Sequence, residues 1–246
     1  MEKITPTSKN IFIGKKKLEY YSNLLIRADK GLHEQVVKIL ERKVGKGSTV
    51  LDMGAGQGAL SARLNDLGYM VTAVDVDDND YAMHGSNIRF EHVNFDDEEN
   101  LVRFSEKNES SFDVVCGVEV IEHLENPWGY IRGLIKLVRT GGLVLVTTPN
   151  VTSWLSRLSF LRTGLFLSFQ KENLSYGHIN PISSFELNMI MSRCGLKNIE
   201  IVSAGTLPPM YVTSFKMGLY SALALLLRPF QSGLLNGWCV IATGEK

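Results

Sequence analysis

From Thr49 onward the sequence alternates short β-rich runs with stretches of helical periodicity, which restricts the fold to a mostly parallel sheet covered by helices. Strands are expected at Thr49–Met53, Met70–Asp75, Ile88–Val93, Phe112–Val118, Leu143–Thr148, Ile199–Ser203 and Trp238–Thr243. The nearly continuous apolar centre of Phe112–Val118 suits a strand buried on both faces. Helices are expected between them. One covers Ala59–Leu67, closed by Gly68. A second has Asn126 as cap and Pro127 at the first position, carries Ile131, Leu134, Ile135 and Val138, and ends at Gly141-Gly142. A third opens on the Ser183/Glu186 capping pattern, buries Leu187, Ile190, Met191 and Cys194, and ends at Gly195. Leu32, Val36, Ile39 and Leu40 mark a leading helix within an N-terminal helical segment, residues 1–47. Two stretches break the alternation and read as insertions: Val151–Asn180, and Thr206–Asn236, which is rich in apolar residues. The whole of 1–246 is expected to be one domain.

Composition narrows the function. Lys plus Arg and Asp plus Glu number 26 each, so the formal charge is zero. A nucleic-acid binder normally carries a basic excess; no DNA partner is expected, RNA is disfavoured, and a small-molecule acceptor suits the balance better. Cys116, Cys194 and Cys239 are far apart and form no C-x-x-C pair, which speaks against zinc or a disulfide framework and fits a cytoplasmic protein. The N-terminus lacks the apolar core of a signal peptide. The charge-free run Met217–Leu227, between Lys216 and Arg228, is shorter than the roughly 20 residues a helix needs to span a bilayer. It could still lie on the inner face of a membrane, cap a pocket as a helical hairpin, or sit in a homodimer interface.

Three alternating glycines, Gly54, Gly56 and Gly58, sit between the first strand and its helix, where they allow a tight turn and close approach of backbone to a ligand. Gly54-x-Gly56-x-x-Ala59 also satisfies a relaxed dinucleotide fingerprint, so the glycines admit a nicotinamide-dependent oxidoreductase. Asp52 counts against it: a carboxylate there repels a pyrophosphate but accepts hydrogen bonds from an ammonium. Asp75, ending the second strand, can hold both hydroxyls of an adenosine ribose. Asn94 and Asp96, after the third strand, are placed to meet an adenine amino group.

These segments resemble class I S-adenosylmethionine-dependent methyltransferases. Val50 to Gly58 resembles their first motif and Val74-Asp75-Val76 the second. Phe112 to Val115, Glu119 to Leu124, Thr140-Gly141-Gly142 and Thr147-Thr148-Pro149-Asn150 resemble the later ones, in order. The nearest flavour is the ubiquinone-type O-methyltransferases and the bacterial group around them, some of which share segments like Leu161-Arg162-Thr163-Gly164 and Gly177-His178-Ile179-Asn180-Pro181. The resemblance implies a Rossmann-like α/β fold with a seven-stranded sheet, its last strand antiparallel, and methyl transfer from S-adenosylmethionine with release of S-adenosylhomocysteine to a small, lipid-linked or glycan acceptor. Carried over, Asp52, Gly54, Gly56 and Gly58 border the methionine moiety, Asp75 with Val76 holds the ribose, Asn94 flanks the adenine, and Val118 passes the sulfonium end. Arg27, Tyr20 or Tyr21 would meet the cofactor carboxylate.

Glu119, Glu122 and His123 are the most chemically loaded cluster. Ubiquinone-type enzymes and small-RNA 2′-O-methyltransferases use a similar Glu-x-x-Glu-His for a divalent metal, so a metal-assisted RNA 2′-O-methyltransferase is the alternative reading. These three residues are then the candidate ligands, on one helical face, with His178 a fourth. A metal is not the expectation, because many similar sequences carry Glu-His without one. His123 then acts as general base, supported by Glu122, on a hydroxyl acceptor. Ser153–Phe169 is expected to form one wall of the acceptor pocket.

Overall fold

In the computed structural model, residues 11–12 and 18–246 are described. Seven strands form one sheet: β1 (Thr49–Met53), β2 (Met70–Asp75), β3 (Arg89–His92), β4 (Phe112–Val118), β5 (Val138–Pro149), β6 (Lys197–Ala204) and β7 (Cys239–Glu245). Their order is β3-β2-β1-β4-β5-β7-β6, and β7 runs antiparallel to both neighbours. All seven expected strands are present, and the Rossmann-like α/β architecture with an antiparallel last strand is the one observed.

Helices α1 (Leu32–Lys43) and α2 (Ala59–Asp66) bury Leu32, Val36, Leu40, Leu60 and Leu64 against one face. On the other face lie α3 (Glu98–Lys107), α4 (Pro127–Leu137) and α6 (Ser184–Arg193), through Leu101, Phe104, Ile131, Leu134, Leu187 and Ile190. Helix α3 escaped the sequence reading, although its signals are ordinary: Asp97 caps Asn100 N, and Leu101 and Phe104 are three apart.

Three expectations need correction. The first 47 residues are not uniformly helical, since a β-hairpin (Glu19–Tyr21 with Leu24–Ile26) precedes α1. Its turn, Ser22-Asn23, has positive φ at both residues, the geometry that suits hairpin twist. Helix α4 stops at Leu137, not at Gly141-Gly142. Val138 already pairs with Phe112, and the two glycines form a bulge within β5, with Gly141 at φ 74° and a β-carbon on Gly142 falling 2.7 Å from the Asp113 carbonyl. The 206–236 insertion is no helical hairpin. It holds one α-helix, α7 (Phe215–Leu227), followed by a short 3₁₀ turn (Arg228–Phe230), and packs on α5 (Trp154–Thr163) around Trp154, Leu155, Leu207 and Ala224.

The return from this insertion to the sheet is clasped by one side chain. Asn150, buried at the end of β5, donates from Nδ2 to the carbonyls of Leu234 at 2.8 Å and Asn236 at 2.9 Å, while Oδ1 accepts from Thr152 N and Oγ1. Asn150→Ala leaves part-buried carbonyls without their donor, and we expect it to cost about 2 kcal/mol. For a chain of this size that lowers Tm by roughly 4–8 °C. An unchanged melt followed by circular dichroism would show that the clasp contributes nothing.

Candidate functional site

The strand order reverses between β1 and β4, which leaves a crevice at their carboxyl ends, the place where open α/β sheets bind ligands. The loop after β1 enters that crevice with Gly54, Gly56 and Gly58 all at positive φ. At Gly54 a β-carbon would lie 2.2 Å from Val120 Cγ2, so nothing larger fits between this loop and the turn after β4. Gly56 N donates to Asp75 Oδ2 at 2.8 Å, and Asp75 Oδ1 accepts from Asp77 N. Asp52 is buried and accepts from Ser61 Oγ at 2.6 Å. Burial raises its pKa to about 6 against the pull of the Ser61 hydrogen bond, with the Asp75 charge adding to the rise.

A cavity of about 820 Å³ occupies the crevice. Asp52, Gly54, Gly56, Asp75, Val76, Asn94 and Val118 line it. Gly58, also expected there, does not; it instead starts α2 at φ 89°, where a β-carbon would crowd Tyr81 and Met83. Asn94 and Asp96 reach the cavity from the loop after β3, where Asn94 Oδ1 holds Asp96 N and Asp96 Oδ1 accepts from Glu125 N.

The N-terminal hairpin covers the cavity in a way the sequence did not disclose. Gln57 Oε1 accepts from Leu25 N at 2.8 Å, Arg27 is ion-paired with Asp80 at 2.9 Å, and Tyr21 donates to Asp66 at 2.7 Å. Arg27 lines the cavity, but its guanidinium is engaged by Asp80; Tyr20 and Tyr21 do not line it. Of the three residues expected near the cofactor carboxylate, Arg27 alone stands at the cavity. His33, on the buried side of α1, was missed: it lines the cavity, its Nδ1 has no hydrogen-bond partner, and burial lowers its pKa to about 4. A polar residue beside Leu32, on the side of the helix that also buries Gln35, was the available signal.

The Glu119–Leu124 turn forms the opposite wall. Glu119 sits at φ 55° and is held by a reciprocal pair with Thr147: its N–H donates to Thr147 Oγ1 at 2.9 Å, and that hydroxyl donates to Glu119 Oε1 at 2.8 Å. Cys239 Sγ donates to Oε2. Ile121–His123 is a 3₁₀ turn, and Glu119 lies outside it. The expected shared helical face of Glu119, Glu122 and His123 is thus absent, because the positive φ at Glu119 breaks the helical register. Instead the 177–180 segment docks on the turn. The Glu122 carbonyl accepts from Ile179 N at 3.0 Å and Asn180 N at 2.9 Å, and Asn180 Nδ2 donates to the Leu124 carbonyl.

This docking brings His178 edge-on to His123, with ring centroids 4.8 Å apart. His178 Nδ1 lies 2.8 Å from the Ser168 carbonyl, which can only accept, so Nδ1 carries the proton and Nε2 the lone pair. Burial lowers both histidine pKa values, His178 adding to the effect on His123, so both rings are neutral near pH 7. Glu122 is fully buried, and neither carboxylate oxygen has a hydrogen-bond partner. Burial and the nearby Glu119 raise its pKa well above the carboxylate range. Among the described residues, Glu122, His123 and His178 offer ligand atoms within 4.8 Å of one another, a donor set suited to a divalent or transition ion. Glu119 is not in that set; His178 takes its place.

A second cavity, about 300 Å³, adjoins the first and shares Leu18, Arg27, Glu119, His123 and His178 with it. Its far walls are Pro149, Ser168, Trp238 and Cys239. Of the expected wall Ser153–Phe169, only Ser168 lines either cavity; Trp154 and Leu155 turn into the core shared with α7.

Comparison with known proteins identifies the fold and the family. A ubiquinone biosynthesis O-methyltransferase of Dictyostelium discoideum is 34% identical over 135 residues, covering 47% of this chain and 42% of the relative. One from Caulobacter vibrioides is 34% identical over 114 residues, covering 44% and 43%. The match thus spans less than half the length of these relatives. A SAM-dependent methyltransferase structure from Archaeoglobus fulgidus superposes with a TM-score of 0.59 at 15% identity, covering 87% of this chain and 94% of that one. A phosphoethanolamine N-methyltransferase from Haemonchus contortus, with S-adenosylhomocysteine bound, gives 0.59 at 15% identity over 90% of this chain and 54% of its own. These structures establish the shared fold. A methyltransferase domain family model matches residues 26–201, most of the chain, and the protein belongs to that family.

Proposed function

We propose that the protein methylates a hydroxyl of a small or lipid-linked acceptor, using S-adenosylmethionine in the larger cavity and the acceptor in the smaller one. The observation that carries this reading is the shared wall: the two cavities meet at Glu119, His123 and His178. The larger cavity suits the cofactor because it is lined by the glycine loop after β1 and because the carboxylates of buried Asp52 and of Asp75 stand at adjacent strand ends along it. Bound there, S-adenosylmethionine supplies an electrophilic methyl group, which passes to the acceptor oxygen with release of S-adenosylhomocysteine.

His123 is the base. It is neutral and lies at the junction, so it can take the hydroxyl proton as the acceptor oxygen becomes nucleophilic. Glu122 Oε1, 4.0 Å from His123 Nε2, meets the imidazolium as it forms. The rest of the rate comes from alignment across the shared wall. The orphaned Glu122 carboxylate favours a second reading, in which Glu122, His123 and His178 hold a divalent cation that would acidify the acceptor hydroxyl.

His123→Ala is expected to lower kcat by roughly 10²–10⁴-fold while S-adenosylhomocysteine affinity, read by calorimetry, changes less than about twofold. Undiminished turnover would remove His123 as base. Turnover abolished by EDTA and restored by Mg²⁺ or Mn²⁺ would replace base catalysis with the metal reading. NAD binding in place of S-adenosylhomocysteine would refute both.

Asp52 sets a pH dependence of cofactor affinity. Free, its carboxyl is half-protonated at pH about 6, and only the carboxylate attracts the methionine ammonium. The folded pKa is raised, so the charged form is present above that pH and lost below it. S-adenosylhomocysteine affinity should therefore rise with pH up to about 6 and level off above it, falling toward tenfold per unit on the acid side. Asp52→Asn should flatten the profile; an unchanged acid limb in that variant would assign it to another group.

A further inference from the structure

Helix α7 is amphipathic in the reverse sense. The residues it turns toward the protein are mostly small: Gly218, Ser221 and Ala224 lie inward with Met217, and Ser221 Oγ is spent on the Tyr211 backbone. The large apolar ones face out. Phe215, Leu219, Leu223, Leu226 and, one turn beyond, Phe230 recur at intervals of four, four, three and four, forming a single stripe 53–85% exposed. A soluble surface helix places these residue types the other way round. Helix α5, packed against α7, ends in further exposed apolar residues, Phe160 and Leu161.

Charge identifies what covers this surface. The two insertions, 151–180 and 206–236, hold five Lys or Arg and a single Glu, in a chain whose total charge is zero. Arg162, Lys171 and Lys216 are exposed; Lys216 lies on α7 itself and Arg162 on α5, which packs against it. A second copy of the chain would bring the same patch against itself across a two-fold axis and set cation against cation. An anionic lipid surface complements both features, taking the apolar side chains into the acyl boundary and the cations at the headgroups. Among the described residues no helix is long and apolar enough to cross a membrane, so the contact is peripheral.

We propose that α7 seats the protein on an anionic lipid bilayer. The same apolar cluster that anchors α7 includes Trp238, a wall of the smaller cavity. Docking through α7 therefore brings the acceptor cavity beside the lipid, where an acceptor carried on a lipid tail is delivered; this last step rests on the function proposed above.

The test is co-sedimentation of the full chain with phosphatidylcholine vesicles with and without 30% phosphatidylglycerol (a fraction on the order of that in anionic membranes). The protein should pellet with anionic vesicles at least roughly tenfold better than with neutral ones, and 0.5 M salt, about 4 Å of Debye length, should weaken the binding. Leu219→Gln/Leu223→Gln/Leu226→Gln should abolish pelleting while leaving S-adenosylhomocysteine affinity unchanged. Arg162→Glu/Lys216→Glu, whose side chains are exposed, gives the same answer if the triple variant does not fold. Failure of the wild type to pellet with anionic vesicles overturns the proposal, as does equal pelleting of the folded variants. A dimer in light scattering that the triple variant dissociates, without vesicle binding, assigns the stripe to self-association instead. Loss of cofactor binding in the wild type would refute the methyltransferase reading without touching the lipid result.

Discussion

The site is organised around a contact between two loops that leaves no room for a β-carbon. Gly54, after β1, and Val120, after β4, meet where a methyl group on Gly54 would overlap the valine side chain. The cofactor-side loop and the Glu119–Leu124 turn are thereby fixed relative to each other across the switch point. The conformation of each is over-determined: Gly54 by its positive φ, Glu119 by the reciprocal bonds to Thr147 and the donor Cys239 Sγ. Strain in a non-glycine residue of positive φ persists only when the surroundings hold it, and here one residue from β5 and one from β7 do so.

The second organising element is the pairing of two segments more than fifty residues apart. Docking of 177–180 on the Glu122 carbonyl satisfies that group and carries His178 to His123. The resulting cluster has two half-buried imidazoles, which line the cavities, and a fully buried carboxyl group. Burial pushes all three toward their neutral forms: the histidine pKa values fall and that of Glu122 rises. A charged version of the same cluster would need counterions that the described residues do not supply at Glu122.

Much of the fold was legible because its signals are local. Strand runs, the Asn126 and Ser183 caps and the glycine loop each appear where a short window of sequence predicts them. Gly141-Gly142 misled for a physical reason: glycines end helices and form bulges through the same positive φ, and only the register with β4 separates the two outcomes. The lining of the larger cavity was partly readable, since Asp52, Gly54, Gly56 and Asp75 sit at strand ends whose positions follow from the alternation. The junction with the smaller cavity was not. The displacement of Glu119 from the metal-capable set, the engagement of Arg27 by Asp80 and the turning of Trp154 away from the cavity all depend on contacts across long sequence separations. No periodicity encodes such contacts.

On the proposed reading, the neutral form of the two histidines matters for the balance of charge during turnover. A sulfonium cofactor brings one positive charge into the crevice, and neutral His123 and His178 do not repel it, whereas protonated rings would. When His123 takes the acceptor proton it becomes cationic in the step that removes the sulfonium charge. The crevice then holds the same net charge before and after transfer, displaced from one cavity wall to the junction. Glu122, 4.0 Å from His123, has its pKa raised by burial and by the nearby Glu119, and its carboxyl group interacts more favourably with a cationic ring than with a neutral one. The buried carboxyl thus stabilises the charge only after it has moved, which is the condition for favouring the transition state over the bound reactants.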